Sequence, residues 1–427
     1  MKELLFLAHR IPYPPSKGDK IRSYHILKHL AGSYRIHLGA FVDDPQDWRY
    51  QAKLEAMCAS VQLLPLRPRP ARLRSLRGLF NHSALSVPYF HPQAMQRWVD
   101  AIMKRDAVER VFVYSSPMAQ YVMGRGSASL RRVVDFVDVD SDKWQQYAQR
   151  KPWPLSWLYR REGQRLLAFE RGVARTFDAS VFVSAPEAAL FRQLAPESAE
   201  AVHSMDNGVD FRYFSAALGY VNPYQDQSDV LVFTGAMDYW ANVDAVRWFA
   251  RQVFARVRRA IPSARFVIVG ARPTREVRQL AALPGVSVTG TVADVRPYLA
   301  HARAAVAPLR IARGVQNKVL EAMAMALPVL ATPAAVQGIE YSNPASLQVA
   351  DNELQLAQLA SALLQGRKAQ PMRASRQWVC QRYDWDSNLS CLYEYLEGRS
   401  DQSEWLRTDN AARAQLSPVG AEFVRPG

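Results

Sequence analysis

A lysine and a glutamate three residues apart, Lys318 and Glu321, open a short apolar helix in the stretch IARGVQNKVLEAMAMALPV (311–329). Leu320, Met323, Ala324 and Leu327 fall at helical spacing and should face a core, with Lys318, Glu321 and Met325 on a neighbouring face. Asn317 is the expected N-cap, and Gly314 lets the preceding loop approach a ligand closely. A diphosphate at this helix start would meet the free N–H groups, Lys318 and Arg313, with Gln316 beside them. The Glu321 carboxylate could accept two hydrogen bonds from a ribose diol. Taken alone, the same two side chains read more readily as a surface pair at i,i+3, worth roughly 0.2–0.5 kcal/mol, because such pairs are common.

Two further groups carry chemistry. In DFVDVDSDKW (135–144) the carboxylates of Asp135, Asp138, Asp140 and Asp142 occupy a strand end and the loop beyond. Asp138 and Asp140 have the same parity and would point to one side if the strand continued. Either, held in a cleft with a raised pKa, could take a proton from an acceptor hydroxyl. The alternative is that they cap a helix and shape its loop. Near the N-terminus, HRIPYPPSKGDKIRSYHILKHL (9–30) has a proline- and glycine-rich loop. Lys17, Gly18, Asp19, Lys20 and Arg22 stand where the loop enters a helix. A glycine loop at a helix start can hold an anion, although the same composition also makes a plain surface loop.

Such groups need strands whose ends bring them together. Apolar runs at 4–9, 35–42, 61–66, 110–115, 132–138 and 180–185 are nearly continuous, as strands buried on both faces of a parallel sheet are. Helical patterns separate most of them, which predicts a doubly wound α/β domain. The rhythm breaks at HSMDNGVDFRYF (203–214) and resumes at 231–235, 265–270, 286–290, 304–309 and 329–332. The expected organisation is an N-terminal domain over 1–205, a linker over 206–229, a second domain over 230–378, closing helices over 379–397, and a frayed polar tail over 398–427.

The 427-residue chain carries a formal charge of +15 and three cysteines without a CxxC pair, which suits a reducing compartment. No run approaches a membrane span or a secretory signal. No dinucleotide fingerprint, P-loop, HExxH or GxSxG is present, so a dehydrogenase, NTPase, zincin or α/β-hydrolase is not expected. The sequence also lacks a nucleic-acid-binding signature. It asks for no cofactor and no metal, since no carboxylate pair of the DxD sort stands beside a diphosphate.

Taken together, these pieces resemble the family 4 retaining glycosyltransferases of the GT-B type. The points of resemblance are the glycine loop after the first strand, DASVFVS (178–184) with Ala-Pro-Glu after it, and Asn207-Gly208-Val209-Asp210 with Phe214 beyond. To these is added Leu320-Glu321-Ala322-Met323-Ala324 followed by Leu327-Pro328-Val329. More narrowly, FTGAMDYWANVDAVRWF and PLRIARGVQNKVLEAMAMALPV resemble the transferases associated with the PEP-CTERM/exosortase A system, which implies exopolysaccharide biosynthesis. The resemblance implies two Rossmann-like domains facing a cleft and transfer of a hexose, with retention, from a nucleotide-sugar to a saccharide or lipid-linked acceptor. The donor would bind at Gly235, Arg313, Gly314, Gln316, Asn317, Lys318 and Glu321. The acceptor would bind around Lys17 to Arg22, with Asp138 (or Asp140) as the catalytic carboxylate.

The chain departs from the family pattern in three places. Arg313 stands where a sugar-facing glutamate is usual. Ala236 follows Gly235, and Ala241 is near the place of a lysine, so two cations are missing. Lys318 and Arg313 would have to supply positive charge from the other side of the pocket. A nucleotide-sugar epimerase of the same architecture, or a catalytically silent sugar-nucleotide-binding scaffold, are the competing functions. LRPRPARLRSLRGLF (66–80) and WPLSWLYRREGQRLL (153–167) add basic, apolar and aromatic surface to the acceptor half. They suit an anionic bilayer, which places the protein in the cytoplasm, docked at the inner face of the cell membrane. A basic loop followed by a core-packing helix is the alternative.

Overall fold

In the computed structural model, residues 1–15, 18–80, 83–127, 129–149, 151–224, 229–312, 314–339, 346–366 and 372–398 are described. They form two all-parallel sheets. The first has strand order β3-β2-β1-β4-β5-β6-β7 and the second β10-β9-β8-β11-β12-β13. In the first sheet β1 is Lys2–Ala8, β2 Tyr34–Val42, β3 Ser60–Pro65, β4 Arg110–Tyr114, β5 Arg131–Val137, β6 Ala179–Phe182 and β7 Val202–Ser204. In the second, β8 is Val230–Thr234, β9 Arg265–Val269, β10 Val286–Gly290, β11 Ala304–Ala307, β12 Val329–Ala331 and β13 Leu347–Val349. Two short edge strands, β7 and β13, are additions to the sequence expectation. The rest coincide with the apolar runs to within a few residues.

The reason is burial. Every residue of VLVFT in β8 is buried, as are Leu4 to Ala8 of β1, because helices cover both faces of each sheet. In each sheet the strand order reverses once, between β1 and β4 and between β8 and β11. Sheets of this kind bind ligands outside the carboxyl ends at that point. His9 and Ser115 mark the first of these places, and Gly235 and Pro308 the second.

The C-terminal helices return to the first domain. Trp385, Leu389, Leu392 and Leu396 join the core that covers one face of the first sheet. Arg110 donates to Glu397 at 2.6 and 2.7 Å, and Lys2 reaches the same carboxylate at 2.6 Å. The outgoing and returning crossings run side by side. Val209 donates to Tyr383 O at 2.8 Å, Arg382 pairs with Asp206 at 2.8 Å, and the Trp385 ring stacks on His25 at 4.5 Å. A Cβ at Gly208 would lie 2.6 Å from the Trp385 ring, so only glycine permits this approach.

Candidate functional site

The helix Asn317–Ala324 follows β11 and starts at the switch point of the second sheet. Leu320, Met323 and Ala324 are fully buried, and Leu327 lies beyond the helix end in the same core. Burying Leu320 and Met323 contributes roughly 1.5–3 kcal/mol each, which anchors the helix against β11 and β12. Met325 departs from expectation. It is buried rather than on the Lys318 face, because the helix stops at Ala324 and Ala326 takes a positive φ of 55° before Pro328.

The cap also differs. Gln316 is the N-cap, with no side-chain cap hydrogen bond, while Asn317 Oδ1 instead accepts from Asn207 Nδ2 of the linker at 3.3 Å. Asn317 therefore ties the helix start to the domain crossing and leaves the first amides without a side-chain cap. Gln316 Nε2 donates to Gly314 O at 3.2 Å, which shapes the loop around the positive φ (62°) of Gly314.

Lys318 projects toward the end of β8. Its Nζ donates to Asn242 Oδ1 at 2.6 Å and lies 4.2 Å from the centre of the Phe233 ring. A Cβ on Gly235 would sit 3.2 Å from that nitrogen and 2.8 Å from Asn242 Nδ2. Asn242 is held in turn by its Nδ2 donating to Ala236 O at 2.9 Å. Burial pushes the Lys318 ammonium down to about 7, opposed by the Glu321 charge, and it pushes Glu321 up to about 7, opposed by Lys318. Glu321 has no hydrogen bond or ion pair among the described residues, so its oxygens remain available to a ligand. The positive charge missing after β8 thus stands on the opposite helix. Ala241, near the family's lysine position, is buried. Arg313 lies outside the described residues.

Across the cleft, β5 ends in a kink. Val137 has φ 69°, and Asp138 N–H donates back to Phe136 O at 2.9 Å, a γ-turn of the rare positive-φ kind. Asp135 Oδ1 accepts the Val137 N–H at 2.9 Å and holds the turn. The strand therefore does not continue through Asp138 and Asp140, and their matching parity is not what aligns them. Lys143 does so, from the helix Asp140–Gln149: its Nζ bonds Asp138 Oδ2 at 2.7 Å and Asp140 Oδ1 at 3.0 Å. Burial lowers the Lys143 pKa, but the two carboxylates outweigh it and hold the ammonium well above its ordinary value. Both carboxylates are thus ion-paired to one ammonium. Asp138 faces the loop that leads into the helix Asn317–Ala324: a Cβ on Gly314 would lie 3.9 Å from its Oδ1. Asp140 is the more exposed of the two, 38% against 21%.

The N-terminal loop corrects the expectation most. Arg22 is 1% exposed; its guanidinium donates to Asp135 at 2.7 Å, Met205 O at 2.8 Å and Asn207 Oδ1 at 2.9 Å. Lys20 is 2% exposed and pairs with Asp47. Both are interior ion pairs, not groups presented to an acceptor, because each cation must meet a buried carboxylate. At the helix start, Asp19 Oδ1 accepts the Lys20 N–H at 3.0 Å, so the anion there is the protein's own. Asp19 itself takes a hydrogen bond from Arg10 at 2.8 Å and lies 3.7 Å from His9 Nε2. Burial pushes its carboxyl up, but His9 and Arg10 outweigh this and hold it below the usual range. Gly18 has open space where a side chain would be. Lys17 lies outside the described residues.

Sequence reasoning missed Lys143, Asn242, His9 and Arg10. Lys143 carried one signal, its spacing of three from Asp140. Among the described residues no group of three His, Cys, Asp or Glu side chains is placed to hold a metal, and no helix is long and apolar enough to cross a membrane.

Residues 228–366 match the family described as "Glycosyl transferases group 1". No curated protein sequence matches the chain. Among solved structures, the chain is similar to HepE of Anabaena in complex with UDP and glucose, at 16% identity and TM-score 0.62, covering 93% of this chain and 99% of that one. It is similar to sucrose-phosphate synthase of Thermosynechococcus elongatus, at 15% identity and TM-score 0.64, covering 96% and 100%. WaaG, a glycosyltransferase involved in lipopolysaccharide biosynthesis, aligns at 17% identity and TM-score 0.64 over 92% and 100%. The fold is therefore GT-B, with two Rossmann-like domains, and its second domain carries the glycosyltransferase group 1 match.

Proposed function

We propose that this protein is a glycosyltransferase that moves a sugar from a nucleotide-sugar to a saccharide acceptor. One observation carries the reading: at the switch point of the second sheet, the Lys318 ammonium meets Gly235 beside the unpartnered Glu321 carboxylate. A diphosphate bound at Gly235 would be neutralised by Lys318 and by the uncapped amides of the helix Asn317–Ala324. Glu321, one turn on, would accept the ribose hydroxyls. The second-domain match to glycosyltransferases of group 1 supports the same site, as does the likeness to HepE, whose structure holds UDP and glucose.

In transfer, the bond from the anomeric carbon to the diphosphate breaks and charge grows on the leaving oxygen, where Lys318 opposes it. Asp138, across the cleft, would orient the acceptor hydroxyl and receive its proton, a role open to it once Lys143 turns toward the diphosphate. We favour Asp138 over Asp140 because it is the one nearest Gly314. Asp19, with His9 and Arg10, replaces Lys20 and Arg22 as the acceptor-facing group at the end of β1. We read the reaction as hexosyl transfer with retention, and the acceptor as lipid-linked, serving exopolysaccharide assembly of the PEP-CTERM/exosortase A kind. We place the domain boundaries at 205, 229 and 378, and the work of the protein at the cytoplasmic face of the membrane.

The test is incubation of the purified protein with UDP- and GDP-sugars and a membrane lipid extract. Lipid-dependent release of nucleoside diphosphate is the expected result. Epimerised donor would make it an epimerase instead, and donor binding without turnover would make it a scaffold.

A further inference from the structure

On the first domain, at the carboxyl edge of its sheet, two segments distant in sequence make one surface. The helices Pro68–Ser75 and Arg77–Phe80 follow β3, and the helix Leu155–Thr176 follows the cleft helix that carries Lys143. Their contact is fixed by polar bonds. Arg161 donates to Gly78 O at 2.6 Å and to Ser83 O at 3.3 Å. Glu162, 2% exposed, accepts from Leu85 N–H at 2.6 Å, Ser86 N–H at 2.9 Å and Ser86 Oγ at 2.8 Å. The Trp144 ring meets Tyr159 edge-on at 5.0 Å, joining this unit to the cleft helix.

What this unit turns outward is unusual for a water-facing surface. Trp153 is 81% exposed, Trp157 55%, Leu155 44%, Leu73 70% and Leu76 49%. A loop feeding a core-packing helix would bury these leucines; here only Ala71 and Ser75 of their helix turn inward. Arg67, Arg69, Arg72, Lys151, Arg160 and Arg165 are exposed around them. Among the described residues of 66–80 and 151–169 there is one acidic side chain, Glu162, and it is buried in the contact just described. Large apolar tips ringed by cations and free of exposed anions match the interface of a bilayer bearing negative headgroups. Indole and leucine enter the headgroup boundary while guanidinium groups meet phosphate.

We infer that this face docks the protein on a phospholipid bilayer rich in anionic lipid, with the cleft opening beside the membrane. This deepens the proposed function by naming the surface from which a lipid-linked acceptor would be taken, but the docking itself does not depend on the transfer chemistry. The anionic surface, not the acceptor, is the recognised partner.

The test uses the full-length protein in flotation with vesicles of phosphatidylcholine alone and of phosphatidylcholine with a third phosphatidylglycerol. The protein should float with the anionic vesicles and not with the neutral ones, and less at high salt. Trp153→Ser with Trp157→Ser should weaken binding by at least about tenfold, as should Arg69→Glu with Arg72→Glu, each pair adding a few headgroup contacts. These side chains are exposed, so circular dichroism and melting should match the wild type. Equal flotation of wild type and variants would overturn the inference, as would failure of the wild type to float. A lipid-free dimer by light scattering that the tryptophan variants abolish would also overturn it, assigning the face to self-association. Nucleotide-sugar binding, measured in the same variants, should be unchanged; if it is absent in every protein including the wild type while flotation holds, the donor reading fails and the docking stands.

Discussion

Lys318 Nζ donates to Asn242 Oδ1 at 2.6 Å, and that bond holds an ammonium from one helix over Gly235, the glycine that follows β8. Asn242 is oriented for this by its own bond to Ala236 O. The cation that the family resemblance would place after the first strand of the domain is absent, and Lys318 brings one to the same glycine from the opposite helix. Neutral amide and recessed cation together make a socket for an anion, in place of an ion pair already satisfied.

Glu321→Ala should weaken nucleotide-sugar binding about tenfold to a hundredfold, since a carboxylate-to-hydroxyl bond is worth roughly 1.5–3 kcal/mol. Calorimetric titration with UDP- and GDP-sugars measures this. Its fold should survive, because Glu321 holds no other residue. Unaltered affinity would remove the ribose assignment.

Donor affinity should also fall as pH rises past about 7, the value to which burial lowers Lys318. The sign follows from the charge: the ammonium is present below that pH and lost above it, and a diphosphate favours the protonated form. Binding at pH 8 should therefore take up a proton, seen by titration in buffers of different ionisation enthalpy. In Lys318→Gln the alkaline fall should disappear along with most of the affinity. Because Glu321 ionises over the same range, the comparison with the variant decides: an alkaline fall that persists in Lys318→Gln would contradict the assignment.

Two glycines at the carboxyl edges of the sheets, Gly270 after β9 and Gly18 after β1, should behave oppositely. A Cβ on Gly270 would stand 1.7 Å from Gly235 O, a backbone atom that cannot move without parting β8 from β9. Gly270→Ala should cost more than about 3 kcal/mol or leave no folded protein. Gly18→Ala enters open space in the first turn of a helix and should be neutral or stabilising by up to about 1 kcal/mol. Thermal melts compare the two, and equal melting temperatures would refute the contrast.

Glu170 gives a stability prediction. It is 1% exposed, and burial pushes its pKa up to about 8, opposed only in part by hydrogen bonding from Ser141. A raised carboxyl pKa means that the folded state holds a proton the unfolded chain releases above about 4.5, so its contribution is full at acid pH and declines until about 8. Glu170→Gln, which keeps the shape without the titration, should flatten this decline and gain on the order of a few kcal/mol over wild type at pH 8. Urea unfolding at pH 5 and pH 8 reads it; the same pH dependence in both proteins would be decisive against it.

Most of the fold was legible because strands buried on both faces are written as unbroken apolar runs. The two that escaped, VHS and LQV, are three-residue edge strands with a polar residue at their centre, and so carry no run at all. On the donor side Lys318 and Glu321 could be found, since three-residue spacing on a helix is local. Asn242, 76 residues from Lys318, could not be. The same distance effect misdirected the reading of Arg22 and Lys20. A cation beside a glycine loop looks exposed until its partner is known, and Asp135 and Asp47 lie 113 and 27 residues away. Val137 gave no warning either, because a β-branched residue is an unlikely host for a positive φ.

The paired crossings at 206–209 and 382–385 have a mechanical meaning. A single connecting strand would let one half swivel through a wide cone, whereas two strands bonded edge to edge leave chiefly rotation about the line on which they lie. Asn207 stands on that line, bonded to Arg22 on one side and Asn317 on the other. A turn of the halves is thereby geared, through these two bonds, to the start of the helix that carries Lys318 and Glu321.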